Sequence, residues 1–119
     1  MIWVIGDIHG MIRPLRRIID SIEKYQAEEA EENDPLSKII FLGDFIDHGL
    51  HSKEVIDLVL DLKYPTVCLL GNHDDLALRH IYEDPNYKRD FNHVWFENGN
   101  QATVDSLLPK ELKSKQNKK

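Results

Sequence analysis

Three short apolar runs, at residues 2–5, 38–42 and 66–70, each pass straight into glycine and then into Asp or Asn. The junctions read Gly6-Asp-Ile-His-Gly10, Gly43-Asp-Phe-Ile-Asp-His-Gly49 and Gly71-Asn-His-Asp74. Runs this short, continuous and bounded by glycine are expected of strands buried on both faces of a parallel sheet. Ligands of such sheets gather at the carboxyl ends of the strands, where separate loops converge. The pattern therefore predicts a sheet edge that carries carboxylates, an amide oxygen and imidazoles together, which is a metal site in outline.

Between the runs the apolar spacing becomes helical. Ile12, Leu15, Ile18, Ile19 and Ile22 share one face, and Pro14 falls in the first turn, where a missing N–H costs little. Residues 27–34 are acidic ahead of Pro35 and read as a frayed helix end and solvated loop. Ser52 is placed to cap a second helix whose buried stripe is Val55, Ile56, Val59 and Leu60. A third helix is expected over 74–82, partly burying Leu76, Leu78 and Ile81, and broken by Glu83-Asp-Pro-Asn86. A weaker helical stretch over 91–108 offers Trp95, Phe96, Val104 and Leu107 for packing, with an interruption near Gly99. Trp3 likewise reads as core rather than recognition surface.

Strand, helix, strand, helix, strand at this spacing implies right-handed βαβ crossovers. The fold class is thus α/β, a mainly parallel sheet of at least three strands with flanking helices, over residues 1–108. Residues 109–119 are lysine-rich without apolar spacing and are expected to form a disordered tail.

Charge narrows the function. Fifteen Lys+Arg against 21 Asp+Glu give a formal net charge of −6, which argues against tracking a nucleic-acid backbone. An acidic protein still binds phosphate where a divalent metal supplies the local positive charge. No apolar run reaches membrane-spanning length, and the chain enters a strand at once with no basic leader, so a cytoplasmic protein with no membrane partner is expected. Cys68 has no second cysteine to pair with and reads as a small buried hydrophobe.

The junctions supply the chemistry. Asp7 and His9 stand two residues apart and can turn toward one ion, with Gly6 and Gly10 relieving the backbone. Asp44 has two carboxylate oxygens and can bridge two ions; Asn72 adds a neutral oxygen and His73 an imidazole beside it. Mixed oxygen and nitrogen ligands suit Mn, Fe or Zn better than Ca or Mg. A pair of such ions clamps a phosphate and activates water for in-line attack. His73 is the nearest donor of a proton to the leaving oxygen, and Asp47 can hold its imidazole in the required tautomer. Taken singly, each motif is more simply a helix cap or turn former. Their joint occurrence at three strand ends is not accounted for that way. His48, His51, His80 and His93 are individually solvated or packed residues by default, with His48 kept as a candidate phosphate contact.

Together the three junctions resemble the first three signatures of the calcineurin-like metallophosphoesterases, and look closest to the phosphoprotein phosphatase branch and its bacterial relatives, which include diadenosine tetraphosphatases. The stretch from Trp95 to Ser106 is similar to the segment that follows in bacterial members. The resemblance implies the N-terminal half of an αββα sandwich. It implies that Asp7 and His9 hold a first metal, Asp44 bridges, Asn72 binds a second, and His73 with Asp47 forms the general acid. It also implies Mn2+, or Fe or Zn, as cofactor. Where the family carries an Arg that grips the phosphate bidentately, this chain has His48, and imidazole cannot reproduce that grip. The family's acidic residue after Asn-His is commonly Glu, against Asp74 here.

Family members continue for another hundred residues or so, and that half supplies two further His ligands and another Arg. On this basis the second metal site is incomplete, and activity alone is expected to be weak or absent. An open half-sandwich exposes apolar sheet and invites self-association or a complementing C-terminal half. The expected partner otherwise is a phosphorylated substrate: protein, nucleotide or small phosphoester. A non-catalytic metal- or partner-binding remnant, or one half of a split phosphatase, is the alternative. An unrelated nucleotide-binding domain is discounted because no Gly-x-Gly-x-x-Gly or P-loop run is present.

Overall fold

The structure, a computed structural model, describes residues 1–28, 38–82 and 99–108. Strands β1 (Ile2–Ile5), β2 (Lys38–Phe41) and β3 (Thr66–Cys68) form one parallel sheet in the order β1-β2-β3. Val4 pairs with Ile40 and Ile40 with Val67, so the registers align the strand ends. Helices α1 (Ile12–Glu28) and α2 (Ser52–Leu60) connect the strands, followed by α3 (Asn72–Ile81) and α4 (Asn100–Leu107). The predicted break at 83–86, the packing residues Trp95 and Phe96, His93 and the tail 109–119 lie outside the described residues, as does most of the acidic stretch.

Both α1 and α2 lie on one face of the sheet. Strands laid down in sequence order with crossovers of one hand bring both connecting helices to the same side. There Leu15, Ile19 and Ile22 of α1 and Val55 and Val59 of α2 close over Ile5, Ile39 and Phe41. Phe41, Ile39 and Ile22 are fully buried, each worth about 1.5–3 kcal/mol relative to exposure. Trp3 packs at the edge of this core, edge-on to Tyr25 at 6.0 Å. A smaller cluster joins Ile46 of the β2–α2 loop to Ala77, with Leu76 and Val104 packed against it, and so anchors α3 and α4 at the end of the sheet.

The opposite face corrects the expectation of a sheet buried on both sides. Ile2, Val4 and Val67 are 51%, 58% and 41% exposed, and Leu42 and Leu69 continue the apolar strip. Ile18 and Leu60 are exposed rather than part of their helices' buried stripes, and Leu78 and Ile81 also face solvent. Helix α3 begins two residues earlier than predicted, at Asn72. Ser52 is not the cap of α2: His51 holds that position, and Ser52 is the first helical residue, buried with its Oγ 3.4 Å from Thr103 Oγ1. Cys68 is exposed although its register with Phe41 places it on the covered face, because β3 is the edge strand of the sheet. Among the described residues no helix is long and apolar enough to cross a membrane.

Candidate functional site

The three strand-end loops meet because two of them touch backbone to backbone. A Cβ on Gly43 would overlap the Gly71 backbone, and one on Gly71 would overlap Asp44. Close approach lets Asp74 tie the loops: its carboxylate accepts the N–H groups of Asp44 (2.7 Å), Phe45 (3.1 Å) and Gly71 (3.0 Å). The last of these closes the start of α3, the N3 acid bonding back to the N-cap. In the other direction Asp44 Oδ1 accepts the His73 N–H at 2.8 Å. Asp44 thus caps α3 from a neighbouring loop, where a negative charge also complements the helix N-terminus.

The β1–α1 loop docks onto the same frame, with the N–H groups of Ile8 and His9 both donating to the Asp44 carbonyl at 3.0 and 2.9 Å. His9 Nδ1 lies 2.9 Å from the Ile46 carbonyl, leaving Nε2 toward Asp7, 3.7 Å from its carboxylate. One ligand atom each of Asp7, His9 and Asp44 falls within 4.8 Å of the other two. Asn72 opens α3 between Gly71 and His73, and it is solvent-exposed. Gly6 needs no special accommodation, since nothing lies within 4 Å of where its Cβ would stand.

Beside this group, His73 Nδ1 lies 2.8 Å from Asp47 Oδ2. Asp47 is fully buried, and Thr103 of α4 satisfies it twice: Thr103 Oγ1 donates to Asp47 Oδ1 at 2.5 Å and accepts the Asp47 N–H at 2.7 Å. His48 sits across from both other imidazoles, its ring centroid 5.2 Å from His9 and 5.3 Å from His73. His51 stands apart from this cluster, at the start of α2 near Glu54.

Backbone strain concentrates in the same place. The non-glycine residues with left-handed φ among those described are His9, Asp44, Asp47 and His48. Such conformations cost about 1–3 kcal/mol each and persist where the surroundings impose them, typically at functional sites. Asp and His are also among the side chains that adopt them most readily. Sequence reasoning singles out all four residues but misses Thr103, Gly99 and the structural role of Asp74. The signal for Asp74 is an acid three residues after a capping glycine; Thr103, 56 residues from Asp47, carries no local signal.

The class so defined is a parallel α/β domain whose strand-end loops gather carboxylates and imidazoles at one edge. A family profile described as calcineurin-like phosphoesterase matches residues 1–114, and the chain belongs to that family. It is 33% identical over 85 residues to a catalytic subunit of protein phosphatase 2A from Dictyostelium discoideum, covering 68% of this chain and 24% of the relative. It is 34% identical over 85 residues to the serine/threonine-protein phosphatase 4 catalytic subunit of Eremothecium gossypii, covering 68% and 24%. A symmetrical bis(5'-nucleosyl)-tetraphosphatase of Pseudomonas putida is 26% identical over 72 residues, 60% of this chain and 22% of that one. The chain spans about a quarter of the length of these relatives.

Proposed function

We propose that this chain is a metal-dependent phosphoesterase domain that hydrolyses phosphate monoesters, phosphoproteins or nucleotide anhydrides. The observation that carries the reading is the convergence of Asp7, His9 and Asp44 beside the His73–Asp47 couple. Two carboxylates and an imidazole whose far nitrogen is already engaged by a carbonyl fit a divalent transition metal such as Mn2+, with Fe or Zn as the other candidates. Asp7, His9 and Asp44 would hold one ion; Asp44 and Asn72 would contribute to a second. Such ions supply Lewis acidity toward a phosphoryl oxygen and make water acidic enough to attack at neutral pH.

The protein's own residues do the rest. Asp47, acceptor at His73 Nδ1, fixes the ring so that Nε2 can deliver a proton to the leaving oxygen. His48 offers a single hydrogen bond to a phosphate oxygen, a weaker hold than a bidentate guanidinium. The reading extends to a cytoplasmic setting. A phosphorylated protein or nucleotide as substrate is in keeping with the names of the relatives.

The test is hydrolysis of p-nitrophenyl phosphate by the purified chain with Mn2+. Weak turnover abolished in Asp44→Asn is expected; turnover that survives the change removes this mechanism. A second reading, a non-catalytic module completed by another polypeptide or a second copy, is favoured by the bare apolar strip along Ile2, Val4 and Val67. Absence of turnover together with a stable dimer in solution supports it.

A further inference from the structure

His48 is positioned more closely than a lone phosphate contact requires. Its backbone is left-handed at φ 67°, and its N–H donates to the Gly99 carbonyl at 3.2 Å. A Cβ at Gly99 would stand 2.6 Å from His48 Nδ1, so glycine is what lets the ring lie there. The result is three imidazoles, two from separate strand-end loops and one from the first turn of α3, facing one another, with His9 and His73 centroids 4.8 Å apart. One nitrogen of each ring lies within 4.8 Å of the other two.

We propose that His9, His48 and His73 form an all-imidazole site for one zinc ion, an alternative to the Asp7–His9–Asp44 group because His9 belongs to both. Orientation supports this. A carbonyl can only accept, so His9 Nδ1 opposite Ile46 carries the hydrogen and its Nε2 presents a lone pair. His73 Nδ1 faces a carboxylate, itself fixed by Thr103, and the same holds for its Nε2. An outer acceptor on the far nitrogen is the usual support of a metal-bound histidine.

Three neutral nitrogens without a carboxylate favour zinc over Mg, Ca or Mn, and a three-ligand zinc site leaves its fourth position to solvent. Zinc–nitrogen bonds near 2.0–2.1 Å place tetrahedral nitrogens about 3.3 Å apart, so the rings close by at most about 1.5 Å on binding. His48, being exposed, has the freedom to supply most of that movement. Binding does not depend on the phosphoesterase reading; its consequence does. On that reading zinc removes His73 from proton delivery and His9 from the carboxylate group, and so opposes Mn2+-supported hydrolysis.

The test uses the whole chain, Co2+ as a visible surrogate and Zn2+ in competition. The intense visible absorption of tetrahedral Co2+ is expected, displaced by Zn2+. Zinc affinity should fall about tenfold or more in His48→Gln and in Gly99→Ala, which disturbs the His48 ring without removing a ligand. In Asp7→Asn it should stay within about twofold. Circular dichroism of each variant checks that the fold is retained. Zinc affinity that is indifferent to His48→Gln, or lost in Asp7→Asn, places the ion on the carboxylate group and overturns the proposal. Because binding is read by absorption, absent hydrolysis with Mn2+ speaks only against the phosphoesterase reading.

Discussion

The two faces of the sheet carry the same kind of side chain and meet opposite surroundings. On one, Ile39 and Phe41 are sealed under α1 and α2; on the other, Val4 and Val67 stand against solvent. β-branched and aliphatic residues occupy both sides, so residue type alone does not distinguish a covered face from a bare one. What distinguishes them is the path of the chain, which returns both helices to one side. The sheet's contribution to stability within the described residues therefore comes from one face, while the other presents apolar surface of the kind that marks an interaction site.

Cutting into the covered face gives the largest effect. Phe41→Ala should destabilise by about 3–5 kcal/mol, read from the denaturant midpoint, whereas Val67→Thr on the bare face should shift it by less than about 0.5 kcal/mol. A large loss at Val67 would mean that this face is covered in solution, and the comparison would break. Next in size is the strand-end network, which belongs to neither face. Thr103→Val leaves the buried Asp47 N–H and one carboxylate oxygen without this partner, at about 1–3 kcal/mol, and should also loosen His73, visible as a changed ring resonance by NMR.

The smallest effect concerns Cys68, at the open edge of the covered face, in register with Phe41. It lines an open apolar groove of about 340 Å³ with Phe45, Ile56 and Leu69. Partial burial there pushes its thiol above the ordinary cysteine range, and the Asp74 carboxylate adds to the shift. The neutral thiol is favoured, so labelling by a disulfide reagent should be slower than for free cysteine near pH 8 and accelerate as pH rises. A thiol that reacts like free cysteine would show that the groove does not shield it.

Much of the fold is legible in local pattern. The three Gly-Asp or Gly-Asn junctions mark the strand ends, and the spacing of Ile12, Leu15, Ile19 and Ile22 marks the buried face of α1. The rule that loops converge at strand carboxyl ends groups Asp7, His9 and Asp44, and their ligand atoms lie together. Pattern fails for Ile18, Leu60, Leu78 and Ile81, because an apolar side chain on a helix says nothing about whether an element lies opposite it. It fails for Ser52 because a serine before a helix resembles a cap, whereas α2 starts at Ser52 and buries it near Thr103.

The sequence by itself determined the elements and their junction chemistry, since period, glycine and chain direction act over a few residues. Tertiary structure decided which sheet face is bare, that Thr103 holds Asp47, and that Gly99 admits His48 as a third imidazole beside His9 and His73. These pairings join residues tens of positions apart, and their geometry exists only once separate loops dock. Short-range sterics write the first set into the chain; long-range packing creates the second.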